Sequence, residues 1–179
     1  MQAGAQRRFR ELLKAMAAHA QSAYPEECCG LVVRTAAGLE VIRCTNIQNR
    51  LHALDPEAHP RDARSAYTID PAELIRILTR IGSEEAIEMV YHSHPEQEAY
   101  FSAEDRKQAL ALGREPVFPH ASYVVLSVRS QSDRQPRIAA ARAYRWNGVL
   151  QDFIESSPTP FGIGSGTEAP ESERSQPAA

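Results

Sequence analysis

The most informative part of this chain is residues 91–105, with the sequence YHSHPEQEAYFSAED. Two histidines, His92 and His94, stand two residues apart at the end of a short apolar segment that begins at Ala86. Side chains alternate across a β-strand, so both imidazoles are predicted to project from the same face. Pro95 cannot continue a strand ladder, and it is expected to turn the chain away from the sheet.

A helix is predicted to begin after the loop that follows. Ser102 is a favourable N-cap residue, and an acidic first turn comes directly after it. Asp105 lies in that turn, three residues after Ser102, so its carboxylate stays near the cap. The apolar positions predict that this helix runs through Ala109 and Leu112 to Gly113.

Two imidazoles and one carboxylate form a three-ligand set for zinc. Three protein ligands leave a fourth position for water, which is typical of a catalytic site. The metal lowers the pKa of that water to roughly 7. A hydrolase then needs a base and a donor for the developing oxyanion. Ser102 is placed to be the donor, and Glu26 and Glu27 are both candidates for the base.

The spacing of these residues resembles that of the JAMM (MPN+, JAB) zinc metallopeptidases. That family has a Glu three residues before a Gly at its first strand, and a later His-x-His, Ser and Asp at the spacing found here. The matching residues are Glu27, Gly30, His92, His94, Ser102 and Asp105. The resemblance implies that Glu27 is the general acid/base and that Ser102 stabilises the oxyanion. It also implies that His92, His94 and Asp105 bind Zn²⁺.

The same resemblance, which extends from about Phe9 to Ile154, implies a fold and a substrate. The implied fold is a curved mixed β-sheet with helices packed on it, in a three-layer arrangement like that of cytidine deaminases. The implied reaction is cleavage of a peptide or isopeptide bond at the C-terminal tail of a ubiquitin-like protein. Small single-domain members resemble bacterial enzymes that act on sulfur-carrier proteins, so such a carrier is the expected partner.

Patterns in the rest of the chain also predict an α/β domain. Phe9 to Ala20 form an amphipathic helix, and Asp70-Pro71 begins another helix that Gly82 can end. The predicted strands are Gly30–Arg34, Leu39–Thr45, Ala86–His92, Tyr123–Val128, Ile138–Trp146 and Val149–Ile154. The apolar run at 123–128 is predicted to be central, and Asn147-Gly148 predicts a tight hairpin between the last two strands.

Composition sets broader limits on the 179-residue chain. Its 24% of charged residues and net charge of −3 argue against a nucleic-acid binder. No apolar run is long enough for a membrane span, and no secretory signal is visible. Three cysteines, two of them adjacent, fit a reducing compartment, so we expect a cytoplasmic protein. We predict one domain over residues 1–155 and a disordered tail, rich in Pro, Gly and Ser, over residues 156–179.

Other functions match parts of the pattern. A zinc nucleobase deaminase needs a downstream Pro-Cys-x-x-Cys pair, and no cysteine follows Cys44. A thiol mechanism at Cys28 lacks basic neighbours in the sequence. The related RadC-like and phage-tail peptidases share the zinc motif but fit the upstream Glu less well. A non-catalytic MPN scaffold stays the main alternative, although such subunits typically lose zinc ligands that are all present here.

The sequence alone assigns no role to the long polar segment 49–66. Connections of this length are often lids or recognition loops. Its His52 and His59 fit a solvated surface loop better than a second metal site, and its three arginines fit either an acidic partner or solvent.

Overall fold

The computed structural model describes residues 2–111, 113–132 and 134–156. The helices are α1 (Gln2–Ala23), α2 (Gln48–Leu54), α3 (Pro71–Ile81) and α4 (Ala103–Ala109), with a short 3-10 helix at Glu84–Ala86. The strands are β1 (Cys29–Thr35), β2 (Gly38–Cys44), β3 (Ile87–Pro95), β4 (Leu110–Ala111), β5 (Glu115–Pro116), β6 (Ser122–Gln131), β7 (Arg134–Asn147) and β8 (Asp152–Ser156). No helix in these ranges is both long and apolar enough to cross a membrane.

Six strands form one mixed sheet in the order β2-β1-β3-β6-β7-β8. The β3–β6 pair is parallel, and every other pair in this sheet is antiparallel. The predicted central strand at 123–128 is confirmed, because β6 lies between β3 and β7 and is buried over most of its length. The two-residue strands β4 and β5 form a separate ribbon.

Helices cover both faces of the sheet, which confirms the predicted α/β arrangement. On one face, α1 packs through Phe9, Leu12 and Met16 against the inward side chains of β1, β3 and β6. Burying each of these large apolar side chains stabilises the fold by about 1.5–3 kcal/mol. On the other face, α3 and α4 pack through Ile77 and Ala109 against a second cluster. The candidate site residues lie on this second face.

The limits of α3 are as predicted. The Asp70 carboxylate accepts hydrogen bonds from the amides of Ala72 (2.8 Å) and Glu73 (3.4 Å), which satisfies donors that the first helical turn leaves unpaired. At the other end, Gly82 has φ 76°, a left-handed conformation that glycine adopts without steric cost.

Helix α4 is shorter than predicted. It ends at Ala109, because Leu110 is extended (φ −99°, ψ 123°) and pairs with Pro116 in the β4–β5 ribbon. Gly113, expected to end the helix, has φ 72° and lies between the two strands of that ribbon. The local pairing of this segment in the β4–β5 ribbon prevails over its helical spacing.

Strand β3 is longer than predicted. It continues past His92 to Pro95, which stays in register with Val128 of the parallel strand β6. Proline is tolerated here because β3 pairs with β1 only as far as His92 and the bond to the Val128 carbonyl comes from Glu96, so no partner strand needs an amide hydrogen from Pro95. The chain turns one residue later, at Glu96, which has φ 58° and donates its amide to the Val128 carbonyl at 2.8 Å.

The predicted tight hairpin is a wider loop. Strand β8 begins at Asp152, opposite Asn147, so four residues rather than two connect β7 and β8. The reason is local: the Asn147 side chain accepts the amides of Val149 and Leu150, both at 3.0 Å, and so holds the loop open. Ser156, assigned to the tail by composition, is the last residue of β8; the rest of that predicted tail, 157–179, lies outside the described residues.

Candidate metal centre

His92 and His94 lie at the end of β3 with their side chains on the same face of the sheet. Their Nε2 atoms are 3.1 Å apart, and both residues are buried. This confirms the same-face prediction. Two imidazole nitrogens so close together create a site for a shared cation or proton.

The first turn of α4 brings a carboxylate to these nitrogens. Ser102 and Asp105 form a reciprocal capping box: the Ser102 hydroxyl accepts the Asp105 amide at 3.1 Å, and the Asp105 Oδ2 accepts the Ser102 amide at 2.7 Å. The same carboxylate has Oδ1 3.2 Å from His92 Nε2 and Oδ2 3.4 Å from His94 Nε2. The helix cap thus orients Asp105 toward both histidines.

The three side chains fit a tetrahedral metal. Zinc bonds of about 2.0–2.1 Å at tetrahedral angles separate neighbouring ligand atoms by about 3.3 Å. The two Nε2 atoms are 3.1 Å apart, and each faces an Asp105 oxygen at a similar distance, His92 facing Oδ1 at 3.2 Å and His94 facing Oδ2 at 3.4 Å. Within the described ranges of the chain, no other three His, Cys, Asp or Glu side chains form such a group, and His52 and His59 do not belong to one.

A backbone carbonyl orients His94. Its Nδ1 lies 3.0 Å from the Glu98 carbonyl oxygen. A carbonyl only accepts, so Nδ1 carries a hydrogen, and Nε2, which faces His92 and Asp105, is the nitrogen that a metal would bind. Metal-ligating histidines are usually fixed through their other ring nitrogen in this way.

The charge of Asp105 suits a ligand role. Burial by itself raises the pKa of this carboxyl. The positive charges and hydrogen bonds of His92 and His94 lower the pKa by more, so the net pKa lies well below its ordinary value. Asp105 is therefore ionised at neutral pH. It supplies a negative charge inside the fold that a bound cation would neutralise.

His92 is held by aromatic packing. Tyr67 stacks on its imidazole with ring centroids 4.6 Å apart and planes inclined by 26°. Nδ1 of His92 is buried and has no hydrogen-bond partner among the residues described. Sequence reasoning missed Tyr67, because no motif connects it to a histidine 25 positions later in the chain.

Glu27 lies beside the His-x-His end of β3. Cys29 pairs with His92, and Cys28 exchanges hydrogen bonds with Ser93: its amide donates to Ser93 Oγ at 2.9 Å, and its carbonyl accepts the Ser93 amide at 3.2 Å. The Glu27 side chain is only 4% exposed. Burial and the nearby Asp105 charge raise its pKa to about 9, although Arg61 opposes this shift.

The structure distinguishes Glu26 from Glu27, which the sequence patterns left as two candidates for the base. Glu26 is exposed, and its carboxylate accepts a hydrogen bond from the Asn49 side chain at 2.8 Å. Glu27 points inward instead, and its Oε2 has no hydrogen-bond partner in the part of the chain that is described. An unpaired buried carboxylate is costly and is a mark of functional sites.

Gly30 is required by a close approach of neighbouring groups. A Cβ atom at this position would lie 2.4 Å from the Ile42 carbonyl oxygen and 2.4 Å from the Tyr91 ring. The backbone oxygen cannot move aside cheaply, so any larger residue would displace β1 from β2 and β3. The Gly three residues after Glu27 therefore preserves the register that places Glu27.

Cys28 does not suit a nucleophile. It is buried, and burial raises the pKa of its thiol to about 12, the opposite of what a reactive thiolate requires. The cysteine mechanism weighed from the sequence has no support in this environment.

The segment 49–66 begins in α2 and continues without regular secondary structure, and most of its residues are exposed. It overlaps α2, and the Asn46 side chain joins its two ends by accepting the amides of Gln48 (3.0 Å) and Thr68 (3.1 Å). The same side chain donates to the Glu27 carbonyl at 3.0 Å. A cavity of about 450 Å³ separates this segment from α4, and its lining includes Arg61, Tyr67 and Lys107.

The comparison with known families identifies the fold. A model of the prokaryotic homologues of the JAB domain matches residues 9–145. The chain belongs to this family. The match covers the site residues and leaves out only the ends of the chain, in agreement with the resemblance seen in the motif.

Relatives of this JAB-domain protein point to a peptidase. Proteins of Mycobacterium bovis and Mycobacterium tuberculosis, each named CysO-cysteine peptidase, are 29% identical over 136 residues, which is 75% of this chain and 78% of theirs. The solution structure of a protein from Desulfitobacterium hafniense covers 80% of this chain and 84% of its own, with a TM-score of 0.50 and 21% identity, and shares the fold. The family match and the mycobacterial relatives support a peptidase of the JAB type.

Proposed function

We propose that this JAB-domain protein is a zinc-dependent peptidase. In this proposal His92, His94 and Asp105 are the zinc ligands, Glu27 is the general acid/base and Ser102 is the oxyanion donor. The observation that carries it is the set of ligand atoms 3.1–3.4 Å apart beside a buried carboxyl. A bound zinc ion would supply an activated water and polarise the scissile carbonyl.

The surroundings of Glu27 support its role as a proton carrier. Its Oε2 is buried and unpaired within the described residues, and the elevated pKa shows that this environment favours a bound proton. With a zinc cation bound beside it, the Glu27 carboxyl would ionise more readily, and it would then accept a proton at this oxygen and deliver it to the leaving nitrogen. Such assistance contributes about 10²–10⁴-fold to the rate.

The capping box supports the role of Ser102. Its hydroxyl oxygen accepts the Asp105 amide, which fixes the oxygen and leaves the hydroxyl hydrogen to be donated elsewhere. Donated to the developing oxyanion, this hydrogen bond would contribute about 10²–10³-fold. The cap thus serves both the ligand Asp105 and the donor Ser102.

We further propose that the substrate is the C-terminal tail of a ubiquitin-like protein, in particular a sulfur-carrier protein. The name of the mycobacterial relatives supports this choice. The cavity beside Tyr67 also supports it, since a concave site with apolar walls and the cations Arg61 and Lys107 can receive an extended peptide. Glycines at the end of such a tail would approach the zinc site without side-chain clashes.

The buried free thiols of the chain support a cytoplasmic, reducing location.

The proposal is tested by mixing the zinc-loaded protein with a sulfur-carrier protein extended beyond its Gly-Gly end and following the products by mass spectrometry. We expect release of the extension, and loss of that release with a chelator or with Glu27→Gln. Glu26→Gln is the matched control and should cleave normally. Equal cleavage of unrelated unfolded peptides would replace this proposal with a general peptidase. Zinc binding without any cleavage would favour the scaffold function.

A further inference from the structure

The loop that follows His94 is held by an unusual set of hydrogen bonds. We call residues 96–99 the carbonyl loop, because each of its four successive backbone carbonyls accepts a hydrogen bond from a side chain. The pairs are Glu96 O with Arg129 Nη1, Gln97 O with Ser127 Oγ (2.5 Å), Glu98 O with His94 Nδ1 (3.0 Å) and Ala99 O with the Tyr144 hydroxyl (2.9 Å). One of the four donors is the candidate metal ligand His94.

The other donors belong to the sheet. Ser127 and Arg129 come from β6, and Ser127 lies directly opposite His94 in the parallel β3–β6 ladder. Tyr144 comes from β7, the next strand. Ser127 is fully buried and Tyr144 is 6% exposed, so water does not compete with either hydroxyl for the loop carbonyls. The carbonyl loop is therefore tied to two strands that pack in the centre of the domain.

This arrangement acts on His94 through Glu98. The Glu98 carbonyl fixes the Nδ1–H tautomer of His94, but a backbone oxygen keeps its place only if the residues beside it are fixed. Ser127 holds the preceding carbonyl and Tyr144 holds the following one. With either bond removed, the Glu98 carbonyl can rotate away, and the His94 ring loses its orientation toward His92 and Asp105.

We infer that Ser127 and Tyr144 are positioning residues for the metal centre, which act on His94 through the carbonyl loop. The inference rests on the proposed metal site but not on the proposed substrate. Partners that orient a metal-ligating histidine change metal affinity by 10–100-fold. Ser127 and Tyr144 act one step further away, so we expect the lower end of that range, about 10-fold for each.

The test measures zinc affinity by competition with a chromophoric chelator for Ser127→Ala and Tyr144→Phe. Each variant has a matched control that removes a buried hydroxyl remote from the loop. For serine the control is Ser122→Ala, since Ser122 lies on the same strand and pairs with Arg145 at 2.9 Å. For tyrosine it is Tyr123→Phe, since the Tyr123 hydroxyl bonds the Phe118 carbonyl at 3.5 Å. The two loop variants should bind zinc about 10-fold more weakly, and the controls within twofold of the wild type.

A second readout separates positioning from general loss of stability. Long-range ¹H–¹⁵N NMR spectra of the metal-free protein report which nitrogen of His94 carries the hydrogen. We expect the Nδ1–H tautomer in the wild type and both controls, and a mixture of tautomers in Ser127→Ala and Tyr144→Phe. Arg129→Gln, a change at a partly exposed residue, extends the test if a buried variant does not fold, because it releases the Glu96 carbonyl and should also weaken zinc binding.

Wild-type zinc affinity and an unchanged His94 tautomer in the loop variants would overturn the inference. So would an equal loss of zinc affinity in the loop variants and their controls, since that would reflect stability alone. Failure of the wild type to cleave any carrier would contradict the proposed substrate and leave these binding measurements unaffected.

Discussion

Replacing Glu27 by Gln is expected to stabilise the metal-free protein while it abolishes turnover. The pKa of Glu27 rises from 4.5 to about 9 through burial and the charge of Asp105, partly offset by Arg61. The folded state therefore keeps a proton that the unfolded chain releases between these two pH values. Because the unfolded state binds fewer protons in this window, the wild type loses stability as the pH rises from 4.5 to about 9. The Glu27→Gln variant has no titratable group at this position, so its stability does not fall with pH in this way.

The size of the effect follows from the pKa. One pH unit within the window corresponds to about 1.4 kcal/mol, so the difference in the free energy of unfolding between variant and wild type reaches at most about 3 kcal/mol at pH 7. The buried amide also needs hydrogen bonds of its own, which reduces the gain. We expect Glu27→Gln to be more stable by about 1–3 kcal/mol at pH 7 and close to the wild type at pH 4.5. Turnover of the zinc-loaded variant should fall by about 10²–10⁴-fold.

The assay is urea denaturation of chelator-treated protein at several pH values from 4.5 to 9, combined with zinc analysis and carrier cleavage of the loaded protein. Glu26→Gln is the control, because Glu26 is exposed and should change neither stability nor turnover by much. A Glu27 variant with no extra stability at pH 7–9 would show that the carboxyl is not held protonated in the fold. If Glu26→Gln lost turnover and Glu27→Gln kept it, Glu26 rather than Glu27 would be the general base.

Three further outcomes are expected. The double variant His92→Ala/His94→Ala should bind no zinc by metal analysis, and stoichiometric zinc in it would place the metal elsewhere. Ser102→Ala should keep zinc but lose about 10²–10³-fold in cleavage rate, with a loss of about 0.5–2 kcal/mol in the free energy of unfolding from the weakened cap. Deleting residues 157–179 should leave the melting temperature and the cleavage rate unchanged, and a large fall in melting temperature would show that the segment packs on the domain.

Local rules in the sequence were enough to predict much of the fold and the candidate metal-binding group. Strand alternation put His92 and His94 on one face, and the capping residue Ser102 put Asp105 in the first turn of a helix. In the same way, the N-cap residue Asp70 and the glycine Gly82 predicted the two ends of α3. These features depend on neighbours within a few positions in the chain, so a pattern of residue types is enough to predict them.

Only the tertiary structure decided which more distant residues complete the site. From the residues alone Glu26 and Glu27 were equivalent, and the family resemblance favoured Glu27; the β1–β3 register turns Glu27 inward and leaves Glu26 exposed. No local sequence pattern predicted the stacking of Tyr67 on His92 or the hydrogen bond from Ser127 to the carbonyl loop. Such contacts join residues that are tens of positions apart, and they exist only after strand order and register bring these residues together.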